Sequence, residues 1–92
     1  MTGANYPNPF NPMTTIEFSV PHSSFVTLKV LDVLGRDIAT LIAKQFTAGR
    51  FSSTWDGSRF QSGVYFYRLQ ARLVDGGQAG SFIETKKLIL LK

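Results

Sequence analysis

Short runs of alternating apolar and polar residues, each closed by turn-forming residues, constrain the fold of this chain more than any other feature. Residues 14–20 and 25–30 both carry an apolar side chain at every second position. Those positions are Ile16, Phe18, Val20, Val26, Leu28 and Val30. A period of two is typical of a β-strand with one buried face. We therefore predict that these two runs form an antiparallel pair of half-buried strands.

The alternation continues over most of the remaining sequence. Residues 50–55, 64–71 and 82–92 predict three further strands. Residues 37–44 fit either a helix or a strand, and the short connections on both sides favour a strand.

Turn signals separate these segments. Asp32 and Gly35 predict a type I turn with a bulge, because the Asp side chain can bond the backbone ahead of it and glycine tolerates a positive φ. A hairpin turn is predicted at residues 75–77. Six or seven short strands, with turns at intervals of roughly ten residues, predict an all-β antiparallel sandwich.

The sequence offers little for catalysis or metal binding. It has no cysteine and a single histidine, His22, in a Ser-rich turn, whereas a zinc site needs about four ligands of these types. The six acidic residues stand singly, and Asp32, Asp56 and Asp75 suit turns beside glycine. We predict that the domain is not an enzyme and needs no cofactor or metal.

The charged and aromatic residues argue against nucleic-acid and sugar binding. The net charge of +4 comes from ten basic residues spread among the acidic ones, not from a basic patch interleaved with stacking aromatics. Trp55, Tyr65 and Tyr67 are the candidates for a carbohydrate platform, but their alternation places them on core-facing sides of strands. No apolar run approaches the ~20 residues of a transmembrane helix.

Five motifs, in order and covering nearly the whole chain, resemble one known family. They are YPNPFNPMTTIEFSVP, VTLKVLDVLGRDIATL, AGRFSSTWDG, SGVYFYRLQA and FIETKKLILLK. Together they resemble the type A C-terminal sorting domain of the bacterial type IX secretion system, and the resemblance extends to the Ig-like domain of flagellar hook-capping proteins. It implies an Ig-like antiparallel β-sandwich of about seven short strands. Such a domain directs a larger exported protein from the periplasm to the cell surface or the medium.

The resemblance also implies partners and recognition residues. The partners are the translocon, its shuttle protein and a sortase-like peptidase that commonly removes the domain. The family's Pro-Asn-Pro, Gly-x-Tyr and Lys-rich final-strand motifs fall on Pro7, Asn8, Pro9, Gly63, Tyr65, Lys86, Lys87, Leu88 and Leu90. Each of these residues also has a purely structural alternative. Gly63 could serve only in a turn, Tyr65 could serve only in the core, and the two lysines could be edge-strand charges that block aggregation.

Domain limits and a mechanism follow as expectations. Residues 1–4 are expected to be a linker remnant and residues 5–92 the sorting domain, with the prolines at 7, 9 and 12 holding an extended segment against the sandwich. The final strand would offer an edge to which a partner adds a strand, and it would also allow a weak dimer. The alternatives are an Ig-like spacer, a carbohydrate-binding module of a secreted hydrolase and a hook-capping domain.

Overall fold

The chain folds as two antiparallel sheets packed face to face. The computed structural model describes residues 2–6, 12–73 and 80–91, and no helix occurs within these ranges. The seven strands found there are β1 (Thr2–Tyr6), β2 (Met13–Val20), β3 (Ser24–Leu31), β4 (Asp37–Phe46), β5 (Gly49–Asp56), β6 (Gly63–Leu73) and β7 (Ser81–Leu90). One sheet has the strand order β1-β2-β5, and the other has the order β4-β3-β6-β7. The predicted all-β sandwich is confirmed.

The core lies between the sheets and consists of the inward-facing positions that the alternation predicts. Its buried members are Ile16, Phe18, Val20, Val26, Leu28, Val30, Trp55, Tyr67, Leu69, Ala71, Leu88 and Leu90. Burial of one large apolar side chain contributes roughly 1.5–3 kcal/mol. This layer is therefore the main source of hydrophobic stabilisation, and β7 contributes two of its leucines.

The predicted pairing of the first two alternating runs is wrong. β2 pairs with β1 and β5, whereas β3 pairs with β4 and β6, so the two strands lie in opposite sheets. Residues 21–23 cross between the sheets, and at this corner the Ser24 hydroxyl donates a hydrogen bond to the carbonyl oxygen of His22 at 2.7 Å. Two strands that face each other across a core show the same alternation as two neighbours in one sheet. The pattern therefore reports the buried face and not the neighbour.

The ambiguous segment is a strand, β4, as the short connections indicated. Its pairing with β3 shifts register twice, between Leu28 and Lys29 and again between Val30 and Leu31. A bulge changes which residues of a strand face the core. These two shifts account for the mixed periodicity of the segment.

The turn between β3 and β4 forms as predicted. Gly35 has a φ of +81°, and its N–H donates to the carbonyl oxygen of Asp32 at 3.0 Å. The Asp32 carboxylate accepts hydrogen bonds from the backbone N–H groups of Leu34 and Arg36, each at 2.9 Å, and from Arg36 Nε at 2.7 Å. The bond from the Arg36 backbone is the main reason that the pKa of Asp32 is lowered, although burial opposes it.

The strand pairings follow the immunoglobulin-like scheme. β2 pairs with β5 as strands B and E do, and β3, β6 and β7 lie side by side as strands C, F and G do. β4 lies beside β3, which is the position of strand C′ in variable-type domains. As a consequence, β7 lies at one edge of the four-stranded sheet.

Candidate functional site

The predicted recognition residues fall into two groups. The Pro-Asn-Pro motif at residues 7–9 lies outside the described residues. The other two motifs lie at one end of the β6–β7 ladder, where Gly63 pairs with Leu90 and Tyr65 pairs with Leu88. The tertiary structure thus places the Gly-x-Tyr motif directly beside the final-strand motif.

Gly63 has a backbone role at the start of β6. Its φ of +157° belongs to a conformation that residues with a side chain rarely adopt. A Cβ atom at this position would meet no heavy atom within 4 Å. The backbone, and not crowding, therefore calls for glycine here.

Tyr65 closes one end of the sandwich. Its ring centroid lies 5.5 Å from that of Trp55 and 6.2 Å from that of Phe60. Its hydroxyl donates a hydrogen bond to the carbonyl oxygen of Gln61 at 2.7 Å. These contacts join the loop between β5 and β6 to the core, so they give Tyr65 a structural role.

The two leucines of the final-strand motif belong to the core. Leu88 and Leu90 are both 0% exposed. A partner therefore cannot touch their side chains while the domain stays folded. Their contribution to a recognition surface is to hold β7 firmly against the rest of the sandwich.

The two lysines of the motif are exposed but point in opposite directions. Lys86 pairs with Tyr67, whose side chain faces the core, and Lys87 pairs with Phe66 on the outer face of the sheet. Successive residues of a strand point to opposite faces. The lysines consequently form one charge on each face of β7, not one joint patch.

The edge of β7 is long and regular. Every residue from Ser81 to Leu90 pairs with β6 without a shift in register, and among the described strands β7 has no second neighbour. Edge strands expose backbone groups that can pair with another chain, and bulges protect against this. β4, at the opposite edge of the same sheet, carries two register shifts. The edge of β7 is therefore the better surface for strand addition.

The structure adds one surface feature that the sequence analysis missed. Val33 and Leu34, at the tip of the turn between β3 and β4, are 65% and 73% exposed. Polar residues and glycine dominate such central turn positions. Two large apolar residues there are the signal by which the sequence could have revealed this apolar tip.

The described residues show no group suited to metal chemistry, and two of the three candidate aromatic residues for a carbohydrate platform are buried in the core, as the alternation predicted. No group of three or more His, Cys, Asp or Glu side chains is placed among the described residues to hold a metal ion. Trp55 is 3% exposed and Tyr67 is 0% exposed, so neither can stack on a sugar.

Burial, with a further effect from the Glu84 charge, raises the pKa of Tyr67. In the described part of the chain no helix is long and apolar enough to cross a membrane.

Comparison with protein families identifies the domain. The sequence profile described as "Secretion system C-terminal sorting domain" matches residues 4–90, which is nearly the whole chain. The chain belongs to this family. No curated protein and no solved structure matches the chain.

Members of this family are C-terminal sorting signals of type IX secretion. The sorting domain therefore interacts with the type IX machinery, and its export leads to the cell surface or the medium. The predictions of family, function and destination are confirmed. The alternative of a spacer or a sugar-binding module is not favoured.

Proposed function

We propose that the type IX machinery recognises the sorting domain by adding a strand to the edge of β7. The unbroken pairing of this edge strand with β6 is the observation that carries the proposal. In strand addition, main-chain hydrogen bonds supply affinity, and side chains at alternate positions supply specificity. The domain itself catalyses nothing in this scheme.

The buried anchors of β7 support this proposal. Leu88 and Leu90 fix the strand in the core, and Tyr65 pairs beside them while its hydroxyl holds the adjacent loop. An edge that is already ordered loses little entropy when a partner binds. The same edge can therefore be presented unchanged on different cargo proteins.

The predicted recognition residues then take two roles. Lys86 and Lys87 contact the partner, whereas Gly63, Tyr65 and the two leucines shape the edge. The residues of the Pro-Asn-Pro motif are proposed to contribute to recognition as well. We assign residues 5–92 to the sorting domain, together with residues 2–4 of the predicted linker remnant, because β1 (Thr2–Tyr6) pairs with β2.

The partners in this scheme are the translocon, its shuttle protein and a sortase-like peptidase. A rigid sandwich suits such a sequence of encounters, because the same surface persists from one partner to the next. The edge of β7 would also allow weak self-pairing, so the domain is proposed to form a weak dimer at high concentration.

Proline substitutions on β7 test the proposal. Of two adjacent residues in an edge strand, one points its N–H towards the neighbouring strand and the other points it outwards. We would make Glu84→Pro and Thr85→Pro, because proline removes the N–H donor and is tolerated where that donor faces solvent. Fluorescence of Trp55, the single tryptophan, would show which variant stays folded.

Export would then be measured with a fluorescent cargo that carries a Sec signal and is fused to the full chain. The folded proline variant should lose export in a bacterium with a working type IX system. The matched control is the pair Ala43→Pro and Lys44→Pro on β4, of which the folded variant should retain export. Normal export of a folded β7 variant would refute recognition by strand addition.

A further inference from the structure

We infer that the strand added to β7 carries acidic residues at two neighbouring positions, so that one carboxylate lies on each face of the extended sheet. This inference rests on the proposed recognition of the β7 edge and specifies the chemistry of the partner. It follows from the positions of Lys86 and Lys87, from the charge of the sheet to which they belong, and from the poor fit of the other possible occupants.

The two lysines define what a neighbouring strand must offer. Lys86 lies on the core-facing side of β7 and Lys87 on the outer side, and both are exposed. Directly opposed side chains on adjacent strands have Cβ atoms roughly 4.5–5.5 Å apart, and opposite charges at such positions attract. A strand beside β7 therefore meets both lysines only if it has acidic residues on both faces, which means at adjacent positions in its sequence.

The outer face of the four-stranded sheet is basic. Cross-strand pairing places four cations on this face among the described residues: Lys29, Arg68, Arg72 and Lys87. Its described carboxylate is Asp37, which lies 3.2 Å from Lys29 Nζ. Four positive charges and one negative charge leave a net charge of +3.

The outer face of the three-stranded sheet differs. Its described charged residues are Glu17, Arg50 and Asp56, which sum to −1. An acidic partner is therefore steered towards the sheet that contains β7, because complementary fields guide encounters more than they add affinity.

A second copy of the chain fits the edge less well. Antiparallel self-pairing centred on Thr85 would place Glu84 of one copy opposite Lys86 of the other, which is favourable. The same register places Ile83 opposite Lys87, so the outer face gains no carboxylate. Self-pairing brings a carboxylate opposite one of the two lysines, whereas a strand with two adjacent acidic residues brings one opposite each.

A polyanion such as nucleic acid or an anionic polysaccharide also fits poorly. Ile83 is 57% exposed and Phe25 is 36% exposed on the basic face, and the Arg72 guanidinium lies 5.9 Å from the centre of the Phe25 ring. Apolar side chains among the cations favour a peptide with mixed side chains. A polyanion could neither use them nor pair with the backbone edge of β7.

Three peptides of equal length test the inference against the full chain. They share one alternating apolar pattern and differ only in the central pair, which is Asp-Glu, Ser-Thr or Lys-Lys. Exposed ion pairs contribute modestly, so the acidic peptide should bind about 5- to 20-fold more tightly than the Ser-Thr peptide, and the difference should shrink at high salt. Fluorescence anisotropy of labelled peptides would give the dissociation constants.

Variants of the domain sharpen the result. Lys86→Gln and Lys87→Gln should each reduce the preference for the acidic peptide by about 2- to 5-fold. The double variant Lys86→Glu/Lys87→Glu should invert the preference towards the Lys-Lys peptide. Lys44→Gln on β4 is the matched control and should change nothing. All three positions are exposed, so the variants are expected to fold, which Trp55 fluorescence would verify.

Different failures have different meanings. Equal binding of the acidic and Ser-Thr peptides would overturn the acidic partner while leaving strand addition to β7 intact, and the proline variants test the latter separately. Sedimentation could instead show self-association that depends on Glu84, while the acidic peptide binds no more tightly than the others. The occupant of the β7 edge would then be a second copy of the chain. If heparin binds in a lysine-dependent manner and the peptides do not bind, the partner is a polyanion and not an acidic strand. Each of these results overturns the inference.

Discussion

Leu88→Ala gives the sharpest test of how the final-strand motif acts. The Leu88 side chain is 0% exposed, and truncation to alanine removes three carbons from the core. At about 0.8 kcal/mol per buried methylene, the lost transfer free energy is ~2 kcal/mol. A residual cavity on the order of 60 Å³ adds ~1.5 kcal/mol at about 24 cal/mol per Å³. The expected loss in the free energy of unfolding is therefore about 3–4 kcal/mol.

Urea unfolding followed by the fluorescence of buried Trp55 would measure this loss. For a domain of this size a slope near ~1.3 kcal/mol per molar converts the loss into a fall of about 2–3 M in the midpoint, with an unchanged slope. The control is Ile83→Ala on the same strand, where the side chain is 57% exposed, and it should change the free energy of unfolding by less than about 1 kcal/mol. Equal effects of the two substitutions would refute the placement of Leu88 in the core.

The same arithmetic governs a C-terminal truncation. Deleting residues 88–92 removes both Leu88 and Leu90, which together contribute about 6–8 kcal/mol. Natural domains of this length have a total stability of roughly 5–14 kcal/mol. We expect the truncated domain to be largely unfolded, so its failure in export would not show recognition of the deleted residues. Substitutions of exposed residues on β7 are the informative ones.

Three further predictions concern the ends of the strands. Gly63→Ala should lower the free energy of unfolding by about 1–2 kcal/mol through backbone strain, measured by urea unfolding, and a neutral result would show that the backbone relaxes freely. Tyr65→Phe should lose about 1 kcal/mol, because the Gln61 carbonyl loses its hydrogen bond, and Tyr65→Phe should leave the Trp55 emission spectrum unchanged. At pH values above 3.8, the usual pKa of an aspartate side chain, the ionised Asp32 stabilises the folded state. This contribution is lost as the pH falls through the lower pKa that Asp32 has in the folded state. Asp32→Asn should therefore be less stable than the parent near neutral pH, with a gap that closes as the pH falls through the lowered pKa of Asp32; a gap independent of pH would contradict the role of the charge.

The positions and faces of the strands were predictable from the sequence because they depend on local periodicity. Val26, Leu28 and Val30 face the core as their spacing predicts, and the Asp32–Gly35 turn forms from residues that contact one another within a few positions. Lys86 and Lys87 follow the same rule, since adjacent residues of any strand point to opposite faces. The family, too, is visible in the order of five short motifs.

Only the tertiary structure decided which strands are neighbours. β2 and β3 have the same pattern whether they pair in one sheet or face each other across the core, and they do the latter. Periodicity alone does not distinguish an edge strand from a central one, so the edge position of β7 and the placement of Tyr65 beside Leu88 depend on contacts between distant segments. Local patterning sets which side of each strand is buried, whereas the choice of neighbours is settled by the packing of all the buried faces into one core.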